Sequence, residues 1–356
     1  MESLFLQTHN PMWLDILSQI RHDVYHLPVY LELEAKRTKT VAEAFVALDG
    51  ENIFFVPFLV RSCEDIFGSS ESIYDIISPY GYPGIILSKT AEKSSSFVEA
   101  AIGSFIDRLK QKDICSIFLR LHPILSHSLI SILSEKTLTE NGVTVSVDLT
   151  LSESEIWAHT RKGHQSSINK TKRLGFVARM VPVENYYEQF IEIYEETMSR
   201  VSAKDDYFFD REYYKNLLAL GEKLHLCIVE KDDELAAASL FFECCGVVQA
   251  HLAGTKNEFL KQSPFMEVLN YTRYWAKERG NEFLHLGGGI GGSGEDRLYI
   301  FKSGFSRQRH AFHTLRLVTD PDRYEKLIQT RAQALNLSSD VLRASTFFPA
   351  YRANPS

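Results

Sequence analysis

The spacing of hydrophobic residues along the chain predicts a mixture of helices and strands. Apolar residues recur with a helical period in some segments, whereas continuous apolar runs bounded by turn residues indicate buried strands. Two such runs, 41–48 and 53–60, are separated by a turn that contains Asp49 and Gly50, which indicates a hairpin. The main predicted helices are 11–20, 97–109, 124–134, 154–174, 185–201, 211–220, 265–278 and 324–342.

The order of these elements is similar in the two halves of the chain. Each half reads as helices followed by an antiparallel meander, and then as helix, strand, helix and strand. We therefore predict two α+β domains of one type, with mixed, mostly antiparallel sheets flanked by helices. The pattern alone places an N-terminal domain at 1–147 and a C-terminal domain at 148–350.

Composition narrows the class of protein. The 356 residues are 44% hydrophobic and 24% charged, which is ordinary for a globular protein. No apolar run approaches the roughly 20 residues that a membrane span needs, and the N-terminus has Glu2 and no basic start, unlike a signal peptide. The five cysteines predict reduced core thiols rather than disulfides or a zinc site. We therefore expect a cytoplasmic protein.

Charge is distributed unevenly. The net charge of −7 argues against extensive nucleic-acid binding, yet residues 161–173 form a strongly basic segment. Its candidate binding residues are Arg161, Lys162, Lys170, Lys172 and Arg173. Two interpretations remain open, namely a solvated helix face and a site for phosphates or for the end of a tRNA.

A glycine-rich stretch follows a short apolar strand at 283–286. Gly287, Gly289 and Gly292 match the pattern of a dinucleotide-binding loop. However, the helix that follows is too short for a parallel crossover, and no suitably placed acidic residue would hold a ribose. A phosphate-binding loop of the G-K-[ST] type is excluded because those residues are absent. The glycines instead suggest close approach of a ligand to the backbone.

The helix after the glycines carries the best catalytic candidate. The sequence from Ser293 to Asp296 resembles a capping box, and the helix amides would suit an anion or a developing oxyanion. Lys302 lies on this helix beside aromatic residues, and it is either an ordinary surface lysine or a cation held near the loop. Glu295 and Asp296 lie at the helix start, where acidic residues more often interact favourably with the helix dipole than act as bases. His285 more often has a structural role, and no nucleophilic triad or metal-ligand spacing is present.

A second candidate surface lies in the first half. Residues 74–87 contain two prolines and two glycines, which predict a rigid loop. Asp75, Tyr80 and Tyr82 would either pack on the surface of this connector or line one wall of a polar ligand pocket.

Six short motifs are distributed along the chain: HLAGT (251–255), AKERG (276–280), FLHLGGG (283–289), FKSGF (301–305), IFLRLHP (117–123) and SVDLTLSESEIW (146–157). Together they resemble the FemABX family of tandem GNAT-fold transferases and its relatives, the GNAT-type acyltransferases. The resemblance spans nearly the whole chain, and its most specific part is the GG…FK-x-GF segment. The FemA and FemB type carries a long coiled-coil arm, whereas the interval 199–223 is predicted to hold one ordinary helix, so the chain resembles the armless branch.

The resemblance implies two tandem domains with the acyl-CoA N-acyltransferase fold, and transfer of an aminoacyl group from aminoacyl-tRNA to an amine. The acceptor is typically a peptidoglycan precursor, and relatives use acyl-CoA donors instead. It implies that Lys302 assists the transition state, with Phe301 packed beside it. It implies no metal and no bound cofactor beyond the donor co-substrate. A third hypothesis, a non-catalytic binding module, is disfavoured by Lys302 and its loop.

The remaining site residues are assigned less specifically. Gly287, Gly288 and Gly289, together with the basic residues of 161–173, are the expected donor-binding set. Asp75, Tyr80, Tyr82 and Arg120 are acceptor-binding candidates by position and chemistry only. GNAT proteins usually bind pyrophosphate with a Q/R-x-x-G-x-G/A loop, and no convincing copy occurs around 253–265, which mildly favours tRNA as the donor. The sequence specifies neither the transferred group, the acceptor, nor the oligomeric state.

Overall fold

The computed structural model describes residues 1–67, 72–133, 137–291 and 294–354. The chain divides into two compact units, the first formed by Met1–Asn141 and Phe312–Ser356 and the second by Gly142–Ala311. The strands are β1 (Glu2–Gln7), β2 (Val41–Asp49), β3 (Asn52–Ser62), β4 (Tyr74–Ile77), β5 (Ile86–Leu87), β6 (Ile114–Arg120), β7 (Leu138–Asp148), β8 (Val177–Val181), β9 (Leu224–Lys231), β10 (Glu234–Cys244), β11 (Val247–Thr255), β12 (Phe283–Gly287) and β13 (Gln308–Val318).

Helices flank these strands in both units. They are α1 (Met12–Leu17), α2 (Pro28–Thr38), α3 (Glu64–Phe67), α4 (Ser95–Lys110), α5 (His127–Ile130), α6 (Glu153–His159), α7 (Lys162–Arg173), α8 (Val183–Arg200), α9 (Arg211–Leu217), α10 (Phe265–Glu278), α11 (Arg297–Ser303), α12 (Pro321–Leu335) and α13 (Ser339–Arg343). Within the described ranges, no helix is both long and apolar enough to cross a membrane.

The first unit is built on a sheet with the strand order β1-β2-β3-β4-β6-β13. β4 and β6 are parallel, and the other neighbours are antiparallel. The predicted hairpin between β2 and β3 is confirmed, with Asp49 paired to Asn52 and Gly50 at a φ of 59°. Phe97, Ala101 and Phe105 of α4 lie at helical spacing and pack into the core of this unit.

The end of the chain belongs to the first unit, which corrects the predicted assignment of 312–350 to the second domain. Leu327 and Ile328 of α12 pack in one buried cluster with Cys63 and Cys115. Tyr351 joins that cluster and donates a hydrogen bond to Asp75. Periodicity within 324–342 indicates a helix but does not indicate which apolar surface the helix covers, so the prediction followed chain order.

The second unit has the strand order β7-β12-β11-β10-β9-β8. β12 and β11 are parallel, and the other neighbours are antiparallel. α7 and α10 pack against each other, and Ile168 of α7 and Val268 of α10 contribute to the core of this unit. α8 lies against β11, where Gly254 is required because a Cβ would approach an Ile193 methyl group to 2.6 Å.

The two units repeat one topology, which confirms the predicted fold class. Apart from the two-residue β5, which pairs with β3, each sheet contains five strands from a meander and a parallel crossover. Among the described strands each has one parallel pair, β4 with β6 and β11 with β12. The sixth strand of the first unit is β13, and that of the second unit is β7. Because most of β13 belongs to the first unit but comes late in the chain, the first unit is discontinuous in sequence.

Several local predictions require correction. The predicted helix 154–174 is two helices, because Thr160 and Arg161 adopt extended ψ values of 128° and 138° between α6 and α7. The predicted helix 324–342 is interrupted at Asn336, whose φ of 55° ends α12. The predicted loop 74–87 contains β4 and β5, and the predicted helix 124–134 is reduced to α5, with residue 134 outside the described residues. β1 was not predicted.

Candidate active site

An opening in the sheet of the second unit lies between the parallel strands β11 and β12. Their register runs from Val247 paired with Phe283 to Gln249 paired with His285, and no further pair between them occurs in the described part of the chain. β11 continues to Thr255, whereas β12 ends at Gly287, whose φ is 75°. The carboxyl ends of parallel strands are the usual place for ligands, and here they part from each other.

The glycine loop lies tightly against the start of α11. A Cβ at Gly289 would lie 2.3 Å from an Asp296 carboxylate oxygen and 2.9 Å from the Cβ of Tyr299. Asp296 caps the helix, because its side chain accepts a hydrogen bond from the Tyr299 amide at 2.8 Å. A side chain at 289 would therefore displace the beginning of α11. Gly292 and Ser293, which complete the two predicted motifs, lie outside the described residues.

Lys302 reaches from α11 to the glycine loop. Its Nζ donates a hydrogen bond of 2.7 Å to the carbonyl oxygen of Gly288, and the side chain is half-buried. Removal from water lowers the pKa of Lys302 from 10.5 to about 8, although the nearby Asp296 carboxylate acts in the opposite direction. An ammonium group with this pKa is mostly charged at neutral pH. It is held against a backbone carbonyl oxygen of the glycine loop.

The imidazole ring of His164 is hydrogen-bonded to the backbone of α11. Its Nε2 lies 2.8 Å from the carbonyl oxygen of Phe301, which can only accept, so Nε2 carries the proton. The Arg161 guanidinium lies 3.2 Å from Nδ1 and can only donate, so Nδ1 accepts and the ring is the neutral tautomer. Burial chiefly lowers the pKa of His164, Arg161 lowers it further, and the Phe301 carbonyl opposes both. Gly304 leaves room for this ring, since a Cβ there would lie 2.3 Å from Nε2.

This role of His164, which lies within the basic segment 161–173, was not predicted from the sequence. A signal was present, because His164, Ile168 and Thr171 share one helix face at i, i+4, i+7 spacing, and all three are buried. Phe301 packs among aromatic rings, with the His164, Phe305 and Phe265 rings centred 5.6, 5.5 and 6.0 Å away. The structure thus brings Phe301, Lys302 and the glycines together.

The basic residues predicted to bind the donor lie on or next to α7. Lys162, Lys170 and Arg173 are exposed, and a helix of this length spans roughly 18 Å. Arg161 precedes the helix, and its amide donates to the Gly304 carbonyl at 2.8 Å. Lys172 is 53% exposed and lies 3.9 Å from a carboxylate oxygen of Glu267. One end of the basic segment therefore touches α11, while the other end lies a helix length away.

The beginning of α10 does not resemble an open phosphate cradle. Glu267 lies in its first turn with its side chain buried, and its amide donates to the Pro264 carbonyl at 2.9 Å. Burial raises the pKa of Glu267, and Lys172, Asn270 and Arg273 oppose the increase. No glycine occurs between 255 and 279. A pyrophosphate at this helix start would meet a carboxyl group rather than free amides.

The four acceptor candidates lie in the first unit. Tyr80, Tyr82 and Arg120 are half-buried, and they follow or end the parallel strands β4 and β6. Ser78 joins these segments, since its amide donates to Phe118 and its hydroxyl accepts from the Arg120 amide. The structure thus brings three of the candidates to one region.

Asp75, the fourth candidate, lies on β4 and is fully buried. Its carboxylate accepts hydrogen bonds from Arg61 at 2.7 Å, from Arg352 at 2.7 Å and from the Tyr351 hydroxyl at 2.9 Å. Contact with an acceptor would require this network to open, so the geometry favours a structural role for Asp75.

Comparisons with known proteins show which family model and which solved structures the chain resembles. Residues 158–302, from the end of α6 to Lys302, match the family model described as an acetyltransferase (GNAT) domain. The solved structure of FemX has a TM-score of 0.70 at 11% identity, with 91% of this chain and 99% of the FemX chain covered. A comparison with proteins of curated function gave no match.

Two further structures are similar over most of their length. The C-terminal domain of an inferred lysylphosphatidylglycerol synthetase from Agrobacterium fabrum has a TM-score of 0.54 at 14% identity, covering 91% of this chain and 93% of its own. A protein of unknown function from Bacteroides thetaiotaomicron has a TM-score of 0.54 at 11% identity, covering 86% and 96%. At these identities the likeness shows a shared fold. The predicted resemblance to FemABX and GNAT-type proteins is confirmed at that level, and together with the domain match it supports an acyltransferase.

Proposed function

We propose, from the FemX fold and the GNAT domain, that this protein transfers an aminoacyl group from aminoacyl-tRNA to an amine acceptor. The acceptor would be a peptidoglycan precursor or another peptide or small-molecule amine. The observation that carries the proposal is the contact between the half-buried Lys302 ammonium and the Gly288 carbonyl, where β11 and β12 part. Aminoacyl-tRNA is found in the cytoplasm, so we propose a cytoplasmic location for this protein.

The mechanism uses the charge of Lys302. The acceptor amine attacks the ester carbonyl of the donor, and negative charge develops on the carbonyl oxygen. The ester bond then breaks, and the leaving 3′-oxygen takes up the proton lost by the amine, directly or through water. Lys302 exchanges its hydrogen bond to Gly288 for one to the charged carbonyl oxygen. A hydrogen-bond donor of this kind stabilises the transition state by about 3–4 kcal/mol. Phe301 packs beside Lys302 on α11, while His164 holds the Phe301 carbonyl and so fixes the helix.

The choice of tRNA over acyl-CoA rests on charge and on the start of α10. The exposed Lys162, Lys170 and Arg173 provide a basic surface about as long as several nucleotides, which suits an RNA backbone. In contrast, the buried Glu267 and the absence of glycine in 255–279 disfavour a pyrophosphate at the start of α10. An acyl-CoA-dependent N-acyltransferase is the second candidate, because the family match is to an acetyltransferase domain.

A transfer assay with both donors tests the proposal. The protein is incubated with radiolabelled bulk aminoacyl-tRNA or acetyl-CoA, and with either a soluble peptidoglycan precursor or Nα-acetyl-lysine amide as acceptor. We expect transfer from charged tRNA, and a loss of roughly 100-fold or more in Lys302→Met. Lys215→Met is the matched control, since Lys215 is an exposed lysine of α9 in the same unit. Transfer from acetyl-CoA alone would replace the first candidate by the second.

RNA binding gives an independent test. Removing the charges of Lys162, Lys170 and Arg173 with glutamine should weaken tRNA binding and reduce its dependence on salt. For every phosphate that the triple variant no longer neutralises, the slope of log K against log salt should fall by roughly 0.7–0.9. Lys215→Gln should leave both quantities unchanged. Equal binding of tRNA by the triple variant and the wild type would contradict the assignment of α7 to the donor.

The acceptor residues are tested through the Michaelis constant. Tyr80→Phe, Tyr82→Phe and Arg120→Gln should raise KM for the lysine amide with little change in kcat, because binding groups act equally on ground and transition states. Unchanged KM in all three variants would remove this region from the proposal.

A further inference from the structure

An arginine occupies a core position of α10. Arg273 shares one face of the helix with Leu269 and Ala276 at i, i+4, i+7 spacing, and all three are buried. The exposed fraction of Arg273 is 0%. Burial lowers the pKa of Arg273 below its usual value, while Tyr274 and Glu267 oppose the change. Charged side chains are rarely buried completely unless they are paired, so the partners of this one indicate its role.

Two neutral oxygens hold the guanidinium group of Arg273. Its Nη1 donates a hydrogen bond of 2.6 Å to the Thr160 hydroxyl, and its Nη2 donates one of 2.7 Å to the side-chain oxygen of Asn270. The rings of Trp157 and Tyr274 are centred 5.6 and 4.9 Å from the guanidinium carbon. Because Trp157 lies in α6 and Thr160 follows it, the cation joins α10 to the end of α6.

Stability explains this arginine poorly. A charge is costly to remove from water, and apolar residues of similar size often replace buried charged groups without loss of stability. The same helix fills its core elsewhere with apolar residues such as Val268 and Ala276. An arginine adds what an apolar side chain lacks, namely several donors fixed in one plane. Arg273 is therefore better suited to fixing the position of Thr160 than to strengthening the core.

Thr160 lies at the joint between α6 and α7. Its hydroxyl donates its single proton to the Ile156 carbonyl at 3.0 Å, and its lone pairs accept the hydrogen bond from Arg273. The backbone carbonyl of Thr160 accepts a hydrogen bond of 3.0 Å from the Gln165 side chain. The extended backbone of Thr160 and Arg161 is thus held from α6, α7 and α10 together.

The joint in turn holds the C-terminal end of α11. The Arg161 amide donates to the Gly304 carbonyl at 2.8 Å, and His164, which contacts the Arg161 guanidinium, donates to the Phe301 carbonyl at 2.8 Å. The last carbonyls of a helix have no partner within it. Since α11 has only seven residues, its position depends on such external contacts. Lys302 lies in the turn that they hold.

We infer that Arg273 is a positioning residue for the transfer reaction. Through Thr160 and Arg161 it holds the end of α11. Lys302 is thereby kept at its hydrogen bond to the Gly288 carbonyl, where it meets the donor. This inference rests on the proposed function. A displacement of about 1 Å in a reacting group is sufficient to lower a rate by roughly 100-fold.

Transfer kinetics test the inference with two substitutions at one position. Arg273→Met keeps an unbranched side chain and removes the donors, whereas Arg273→Lys keeps the charge and a donor. In transfer from bulk aminoacyl-tRNA to Nα-acetyl-lysine amide, Arg273→Met should lower kcat by roughly 10–100-fold with both KM values nearly unchanged. Arg273→Lys should recover part of the loss. Arg279→Met, at an exposed arginine of the same helix, is the matched control and should have wild-type kcat.

Thermal denaturation and a double variant separate positioning from folding. Because a buried charge is removed, Arg273→Met should melt at the wild-type temperature or above it. Thr160→Val should also lower kcat, and the double variant should lose no more than the more affected single variant, since both changes break one link. Arg273→Lys replaces Arg273→Met if the latter fails to fold. Wild-type kcat in Arg273→Met, a change confined to KM, or additive losses in the double variant would overturn the inference.

Hydrogen exchange tests the same link without any transfer. The amides of Gly304 and Phe305 are bonded to carbonyls of α11 at 3.1 Å. In Arg273→Met, exchange in the peptide 297–305 should be roughly tenfold faster, as for the loss of one hydrogen bond, while exchange in α8 is unchanged. If the wild type transfers from neither donor, the proposed function fails, and exchange still decides the inference. Unchanged exchange in 297–305, or an equal increase in α8, would overturn it, whereas an increase confined to 160–164 and 297–305 would support it.

Discussion

Replacing Lys302 by methionine should stabilise the protein at neutral pH while it reduces transfer. The wild-type side chain is charged and partly removed from water, and this lowers its pKa from 10.5 to about 8. At about 1.4 kcal/mol per pKa unit, keeping the ammonium charged in the folded state costs about 3 kcal/mol. Loss of its hydrogen bond to the Gly288 carbonyl offsets about 1–2 kcal/mol. We therefore expect Lys302→Met to gain about 1–2 kcal/mol at pH 7.

The gain should depend on pH in a defined direction. Between pH 8 and 10.5 the unfolded chain keeps the lysine proton and the folded chain has lost it, so the unfolded state binds more protons and wild-type stability rises with pH. Below pH 8 both states are protonated, and the full cost of burial remains. The advantage of Lys302→Met should therefore be constant below about pH 8 and disappear towards pH 10.5.

Denaturant unfolding measured at several pH values provides the assay. Two of the three tryptophans, Trp157 and Trp275, lie in the second unit, so their fluorescence reports mainly on the unit that contains Lys302. Lys215→Met serves as the control, and its difference from wild type should not change with pH. A difference for Lys302→Met that is independent of pH, or a loss of stability throughout, would refute the burial of a charged Lys302.

Two glycine substitutions test other close approaches in the structure. Gly304→Ala should cost roughly 1–3 kcal/mol, because its Cβ would lie 2.3 Å from the His164 ring, and adding His164→Ala should recover part of that loss in thermal denaturation. Gly84 and Gly50 have nearly equal φ values of 58° and 59°, but a Cβ at Gly84 would lie 2.8 Å from the His122 amide nitrogen, whereas nothing lies within 4 Å at Gly50. We expect Gly84→Ala to destabilise clearly more than Gly50→Ala, which should cost about 1–2 kcal/mol; equal melting temperatures would contradict this packing.

Local patterns along the chain were sufficient to predict most elements of the fold. The hairpin at Asp49 and Gly50 and the helix of α10 followed from turn chemistry and from apolar spacing. The repeated element order also predicted the duplicated topology. In contrast, the partners of β7 and β13 depend on long-range pairing, which no local signal records. The same limitation led to the assignment of 312–350 to the wrong unit.

The residues of the candidate site could be predicted where they lie close together in the sequence. Lys302 and the three glycines lie within 16 residues of one another, and a single motif indicated them together. His164 contacts the carbonyl of Phe301, which is 137 positions away in the sequence. For Asp75 the sequence suggested a ligand-binding residue, because a carboxylate lies in a segment that reads as a loop. In the structure its carboxylate instead accepts a hydrogen bond from Arg352, near the end of the chain.

The charge of α7 and the position of α11 are linked through one short segment, and this link bears on function. Thr160 ends α6, and its hydroxyl accepts a hydrogen bond of 2.6 Å from the fully buried Arg273 of α10. The next residue, Arg161, donates its amide to Gly304 and its guanidinium to His164. A polyanion bound to α7 would therefore act on Arg161, which is hydrogen-bonded to the end of α11 at Gly304. If tRNA is the donor, as proposed, its binding along α7 would be linked through Arg161 to the helix that carries Lys302.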